Sequence, residues 1–66
     1  MTRQEAKLGN TYYTDGLDMD CFPVVCKVKL IKFISETEYG YDCVIESDNI
    51  LIKAKLSELR ITPNNA

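Results

Sequence analysis

Apolar and polar residues alternate along much of the chain, which is the pattern of β-strands that expose one face to water. The clearest run, "VVCKVKLIKFI" at residues 24–34, alternates up to Leu30 and then continues one residue out of phase from Ile31. One extra residue in a period of two is typical of a β-bulge, which bends a strand. We therefore expect a long, bent second strand over residues 24–34.

Four shorter strands are predicted around it, separated by turn residues. They cover residues 10–14, 39–46, 50–55 and 60–62. The segment "LSEL" at residues 56–59 predicts one helical turn, kept short by Pro63. The expected fold class is all-β: a small five-stranded antiparallel barrel with a bent second strand and one helical turn before the last strand.

The barrel would occupy residues 10–62, with an N-terminal arm at residues 1–9 and a tail at residues 63–66. The arm contains good helix formers but spans only two turns, so we expect it to fray or to form a short helix. A chain of 66 residues makes one domain, and a domain this small buries about 60% of the surface of its unfolded chain. Its stability is expected to be marginal.

Pairing the predicted strands gives neighbours to the lysines of strand two. Lys32 falls opposite Asp42, which also lies beside Lys53 on strand four, and Lys29 falls opposite Glu46. Opposite charges across a sheet contribute about 0.2–1 kcal/mol each and cancel the local field. This face is therefore expected to be a solvated surface of mixed charge.

The same register makes Val44 and Leu51 a cross-strand pair on the outer face, with Val25 nearby. A cluster of exposed apolar residues on a sheet is a candidate interaction surface. The alternative is that the N-terminal arm folds over the pair and Leu8 covers it.

The overall charge and composition narrow the choice of partner. The chain has a formal net charge of -2 and a pI near 4.9, whereas nucleic-acid-binding domains usually carry a basic excess. It contains no apolar run of membrane-spanning length and no signal-peptide pattern at its N-terminus. We expect a cytoplasmic protein with no membrane partner.

Neither metal binding nor another cofactor is expected. The aspartates of residues 15–20 lack the register and the bidentate glutamate of a calcium loop, so we expect a solvated acidic loop. The three cysteines lack a fourth zinc ligand, and the chain has no histidine. Cys26 and Cys43 fall on inward positions and are expected to be reduced core residues.

The order of these motifs resembles the Src-homology-3-like (SH3-like) small barrels, in the broad sense that includes Tudor-like and KOW-like domains. The matching segments are "LGNTYY", "VVCKVKLIKFI", "YGYDCVI" and "ILIKAKLSELRITP". The chain is also similar to small uncharacterised bacterial and phage proteins with a Tyr-Tyr opening and a closing Ser-Glu-Leu. The resemblance implies a binding module that acts through surface contacts. It does not imply a methyl-lysine cage or a proline-peptide groove, because the chain has no tryptophan.

Catalysis is not expected from this set of residues. Histidine is absent, the serines fall in turns without a base partner, and only three glycines are present, with no phosphate-binding loop. We therefore expect a non-catalytic protein-interaction or inhibitory module, of the kind that phages encode, acting by surface binding to a host protein or by oligomerisation. Its candidate contact residues are Val44, Leu51, Asp15, Asp18 and Asp20.

The alternative function is a small nucleic-acid-binding barrel that uses a patch of lysine and arginine. Its candidate residues are Lys27, Lys29, Lys55 and Arg60, with Tyr12 or Tyr13 as a platform on which bases stack. The acidic balance of the chain makes this partner the less favoured one.

Overall fold

A computed structural model describes residues 1–63 of the chain, so all but Pro63 of the expected tail lies outside the described residues. The strands are β1 (Thr11–Leu17), β2 (Pro23–Phe33), β3 (Cys43–Ser47) and β4 (Ile50–Ala54), and a 3-10 turn covers Leu56–Glu58. The strands form one open antiparallel sheet in the order β1-β2-β3-β4. The expected all-β class and the helical turn after β4 are confirmed.

The segment expected as a fifth strand contributes a single bridge to this sheet. Arg60 pairs with Tyr13 on the outer edge of β1, and each residue donates its N–H to the other's carbonyl, at 2.8 and 2.7 Å. Residues 61–63 form a bend rather than a strand. The chain thus returns from β4 across the helical turn to touch β1.

The bulge lies where the sequence pattern predicts it. Leu30 pairs with Ile45 and Lys32 pairs with Val44, so Ile31 is the extra residue of β2. The expected pair of Lys32 with Asp42 is wrong, because it requires the extra residue to lie in β3.

The β3–β4 hairpin is tighter than expected. Asp48 and Asn49 form a two-residue turn with φ of 52° and 66°, a left-handed conformation that Asp and Asn tolerate. Ser47 therefore pairs with Ile50, and the register moves by two residues from the expected one. Val44 lies opposite Lys53, which makes both the Val44–Leu51 pair and the Asp42–Lys53 pair wrong.

One face of the sheet forms the core together with the helical turn and the N-terminal arm. The buried residues of this cluster are Ala6, Tyr12, Val28, Leu30, Cys43, Ile45, Leu56 and Leu59. The arm is held by Ala6 in the core and by the Lys7 N–H, which donates to the Tyr12 hydroxyl at 2.9 Å. The arm is therefore packed on the core, and residues 3–5 form a turn rather than the short helix that was the other expectation. The idea that Leu8 covers the outer face is wrong, because Leu8 is exposed.

Candidate interaction surfaces

Five cations lie on the outer face of the sheet, and we call this surface the basic face. They are Lys27, Lys29, Lys32, Lys53 and Arg60. Side chains of a strand alternate between faces, and directly paired residues share a face, so the observed register places all five opposite the core. The same face carries two carboxylates, Asp15 and Glu46, which gives it a formal charge of +3, from five cations and two anions, in a chain of net charge -2.

The Asp42 carboxylate, which was expected to neutralise Lys32 and Lys53, contacts the 3-10 turn instead. Asp42 accepts a hydrogen bond from the Leu56 N–H at 2.9 Å, and its own N–H donates to the Ala54 carbonyl at 3.0 Å. Asp42 therefore anchors the 3-10 turn to the sheet. Lys32 and Lys53 instead flank Val44 from either side.

Ion pairing on the basic face is sparse. Among residues 1–63 the ion pair present joins Arg60 to Asp15, with 2.8 Å between Nη1 and Oδ2. Lys29 lies opposite Glu46, as predicted, but these two side chains form no ion pair within that part of the chain. Lys32 and Lys53, which both lie opposite Val44, thus have no carboxylate across the sheet to cancel their positive field.

Val44 is not the exposed contact residue that the sequence predicts. It is 8% exposed, because it lies on an inner strand between two lysines whose apolar stems can cover it. Leu51 is 62% exposed, as predicted, and lies opposite Glu46 at the edge of the sheet. Val44 and Leu51 are diagonal neighbours, so an apolar patch at Leu51 requires other exposed apolar residues beside it.

Such residues lie next to Leu51 on β4. Ile50, Leu51 and Ile52 are three consecutive exposed aliphatic residues on a strand whose one partner among residues 1–63 is β3. The Ala54 carbonyl accepts from the Asp42 N–H and so faces β3. Because these directions alternate along a strand, the N–H and C=O groups of Leu51 and Lys53 face away from the sheet. We call these exposed side chains and backbone groups the β4 edge.

The acidic loop does not present three free carboxylates. Asp15 pairs with Arg60, and the Asp18 carboxylate accepts the N–H groups of Asp20 and Phe22, both at 2.9 Å. Two of the three predicted contact residues thus hold local structure. The loop exposes apolar side chains instead, those of Leu17, Met19 and Phe22.

Of the residues predicted for nucleic-acid contact, Tyr12 and Lys55 lie away from the basic face and the other four lie on it. Tyr12 cannot stack on a base, because its ring is buried in the core. Lys55 lies over the ring of Tyr41, 5.9 Å from its centroid, and does not belong to the basic face. Tyr13 is half-buried and lies between Lys27 and Arg60, its partners on either side.

The core cysteine is a poor nucleophile. The Cys43 thiol donates to the Ala54 carbonyl at 3.4 Å, and burial, helped by the nearby Asp42 carboxylate, raises its pKa from 9.0 to about 11. A thiol with this pKa stays protonated at neutral pH. The described residues contain no cluster of three or more side chains that could hold a metal ion.

Residues 1–63 include no helix with the length and apolar character needed to span a bilayer. Comparisons with protein-family models, with curated proteins and with solved structures found no match to this chain. Its function is therefore inferred from the β4 edge and the basic face.

Proposed function

We propose that this protein is a non-catalytic interaction module that self-associates by pairing the β4 edges of two copies. The observation that carries this proposal is that β4 combines backbone groups without a partner among residues 1–63 with three consecutive exposed aliphatic residues. Natural sheets usually protect such an edge with charges, proline or a covering segment, because it readily pairs with another strand. Residues 50–52 have no charge, proline or covering segment among the described residues, so this part of the edge is suited to strand addition, in which backbone hydrogen bonds give affinity and side chains give specificity.

The fold proposed for this module is an SH3-like small barrel. Its support is the chain order: a first strand, a long bulged second strand, two shorter strands, a helical turn, and a return to β1 through the Arg60 bridge. That return covers part of the β1 edge, whereas β4 keeps its outer edge free among the described residues. The proposed binding edge is thus the one that the barrel leaves open.

The side chains of β4 select one register for a symmetric pair. If Leu51 lies opposite Leu51 of the second copy, Ile50 meets Ile52 and Lys53 meets Asn49, beside Asp48. A register centred on Lys53 opposes two lysines, which is destabilising, and one centred on Ile52 places each lysine against a leucine. The Leu51-centred register therefore gives the most apolar pairs and no like-charge contact.

The test is the molar mass of the purified protein, measured by sedimentation equilibrium across a concentration series. The wild type is expected to form a dimer, because a symmetric edge pair uses up both edges and stops there. Leu51→Lys is expected to weaken the dimer roughly 30-fold or more, since it removes an apolar contact from each copy and places two lysines together. Its own fold is preserved, because Glu46 lies opposite the new lysine.

Leu17→Lys is the matched control, because Leu17 is 66% exposed, lies on β1, and changes by the same charge. It is expected to leave the dimer unchanged. A wild type that stays monomeric at millimolar concentration would overturn the proposal, and so would equal weakening by both substitutions.

A further inference from the structure

We infer that the basic face binds single-stranded nucleic acid, a binding function that goes beyond the contact proposed for the β4 edge. Its first support is the separation of charge in the fold. The face carries +3 of a chain whose total is -2, so the remaining surface carries -5. A polyanion is attracted to this face and repelled by the rest of the molecule, which orients its approach.

The bulge in β2 creates the line of lysines. Side chains two residues apart share a face, so Lys27 and Lys29 would be followed by residue 31 in a regular strand. The extra residue Ile31 changes the phase and brings Lys32 onto the same face instead. The three lysines then follow the strand for roughly 16 Å, at a rise of about 3.3 Å per residue.

The tight hairpin gives a fourth lysine of this face, Lys53, an apolar partner instead of a carboxylate. The two-residue turn places Lys53 opposite Val44, which pairs on its other side with Lys32. The two lysines are thus two strand spacings apart, about 10 Å, with no carboxylate between them. Phosphate binding needs several uncompensated cations, and this row supplies two of them.

Tyr13 is the reason to propose single-stranded nucleic acid, rather than a duplex, as the ligand of the basic face. Its half-buried ring lies between Lys27 and Arg60 in one row of the sheet. Base stacking on an aromatic ring flanked by cations is the usual way in which proteins hold unpaired bases without reading sequence. A duplex keeps its bases stacked on each other and cannot use this ring.

The test is fluorescence anisotropy of a labelled oligothymidine with the full chain, at low salt and then across a salt series. Binding is expected at low salt and should weaken steeply as salt rises. Lys32→Gln and Lys53→Gln are each expected to weaken binding roughly fivefold at about 0.1 M salt, the effect of losing one phosphate contact. Tyr13→Leu is expected to weaken it roughly tenfold by removing the stacking ring.

Lys7→Gln is the matched control, because it removes the same charge from an exposed position in the N-terminal arm. It is expected to change the affinity less than about twofold. No binding at low salt would overturn the inference. Equal weakening by Lys7→Gln, or tighter binding of a duplex of the same length, would do so as well. Sedimentation of the same variants keeps this test separate from self-association at β4.

Discussion

Replacing Asp42 by alanine tests how the sheet and the 3-10 turn are joined. The Asp42 carboxylate accepts the N–H of Leu56 at 2.9 Å, and Leu56 is itself buried in the core. Asp42→Ala leaves that N–H without its acceptor. A charge-assisted hydrogen bond in a partly buried place contributes about 1–2 kcal/mol to the free energy of unfolding. For a domain of this size such a loss lowers the Tm by roughly 5–15 °C.

The measurement is urea and thermal unfolding of the wild type, Asp42→Ala and Asp42→Asn, followed by circular dichroism at neutral pH. Asparagine keeps an oxygen that can accept the Leu56 N–H but loses the charge, so about half of the loss is expected. If Asp42 instead neutralised lysines on the basic face, Asp42→Ala would cost only about 0.2–1 kcal/mol and the effect would fade with salt.

A double-mutant cycle separates these two roles of Asp42. Combined with Lys32→Ala, Asp42→Ala is expected to act additively within about 0.3–0.5 kcal/mol, because Lys32 lies opposite Val44 and forms no ion pair with Asp42 among residues 1–63. A loss below about 0.5 kcal/mol for Asp42→Ala, together with coupling to Lys32, would refute the assignment of Asp42 to the 3-10 turn.

Three further predictions test the packing and the turn. The pKa of Cys43 is about 11 in the fold against 9.0 for a free thiol, so the folded state keeps a proton that the unfolded chain loses. This thiol should therefore not lower the free energy of unfolding below pH 9, and should lower it by up to about 2–3 kcal/mol as the pH rises through 11. Cys43→Ala should remove this extra loss. Gly16→Ala would place a Cβ 2.8 Å from the Cys26 Sγ, so unfolding experiments should show a loss of about 1–3 kcal/mol that Cys26→Ala relieves. Asn49→Gly, at a φ of 66°, should raise the Tm because Asp-Gly favours the two-residue turn, whereas an unchanged or lower Tm would count against that turn.

The bulge and the register before it in β2 could be predicted from the sequence, whereas the register after it, where Lys32 was expected to pair with Asp42, could not. A change of phase at Leu30–Ile31 has few explanations in a strand, and it fixed the pairing of Lys29 with Glu46 and of Leu30 with Ile45. The core positions of Val28 and Cys43 follow from the same alternation. These predictions succeed because the period of two in a strand is local.

Features that depend on the length of a connection could not be predicted in this way. Whether the β3–β4 turn takes two residues or four changes no side-chain face, so the alternation of apolar residues does not distinguish the two registers. The two-residue turn nevertheless decides that Val44 lies between lysines and that Asp42 is free to hold Leu56. The left-handed preference of Asp48-Asn49 was the signal for the shorter turn.

The burial of one tyrosine likewise depends on the register between β1 and β2, across the loop that joins them. Tyr12 and Tyr13 are adjacent β-formers, and the register of β1 on β2 places Tyr12 opposite the buried Val28 and Tyr13 opposite Lys27.

The bulge brings Lys32 onto the basic face, and the hairpin register decides that Lys53 lies opposite Val44 rather than opposite Asp42. The net charge of -2 therefore does not show that the folded sheet carries +3 on one face and -5 on the rest of the surface.

The β4 edge is tested most directly by amide hydrogen exchange, followed by NMR at dilute and at millimolar protein concentration. The N–H groups of Leu51 and Lys53 face away from the sheet, so they should exchange fast in the dilute protein and become protected as copies pair. The amides of Ile50 and Ile52 face β3 and serve as internal controls. Protection of Leu51 and Lys53 that grows with concentration is the predicted result, and exchange of these two amides that stays fast at every concentration would contradict it.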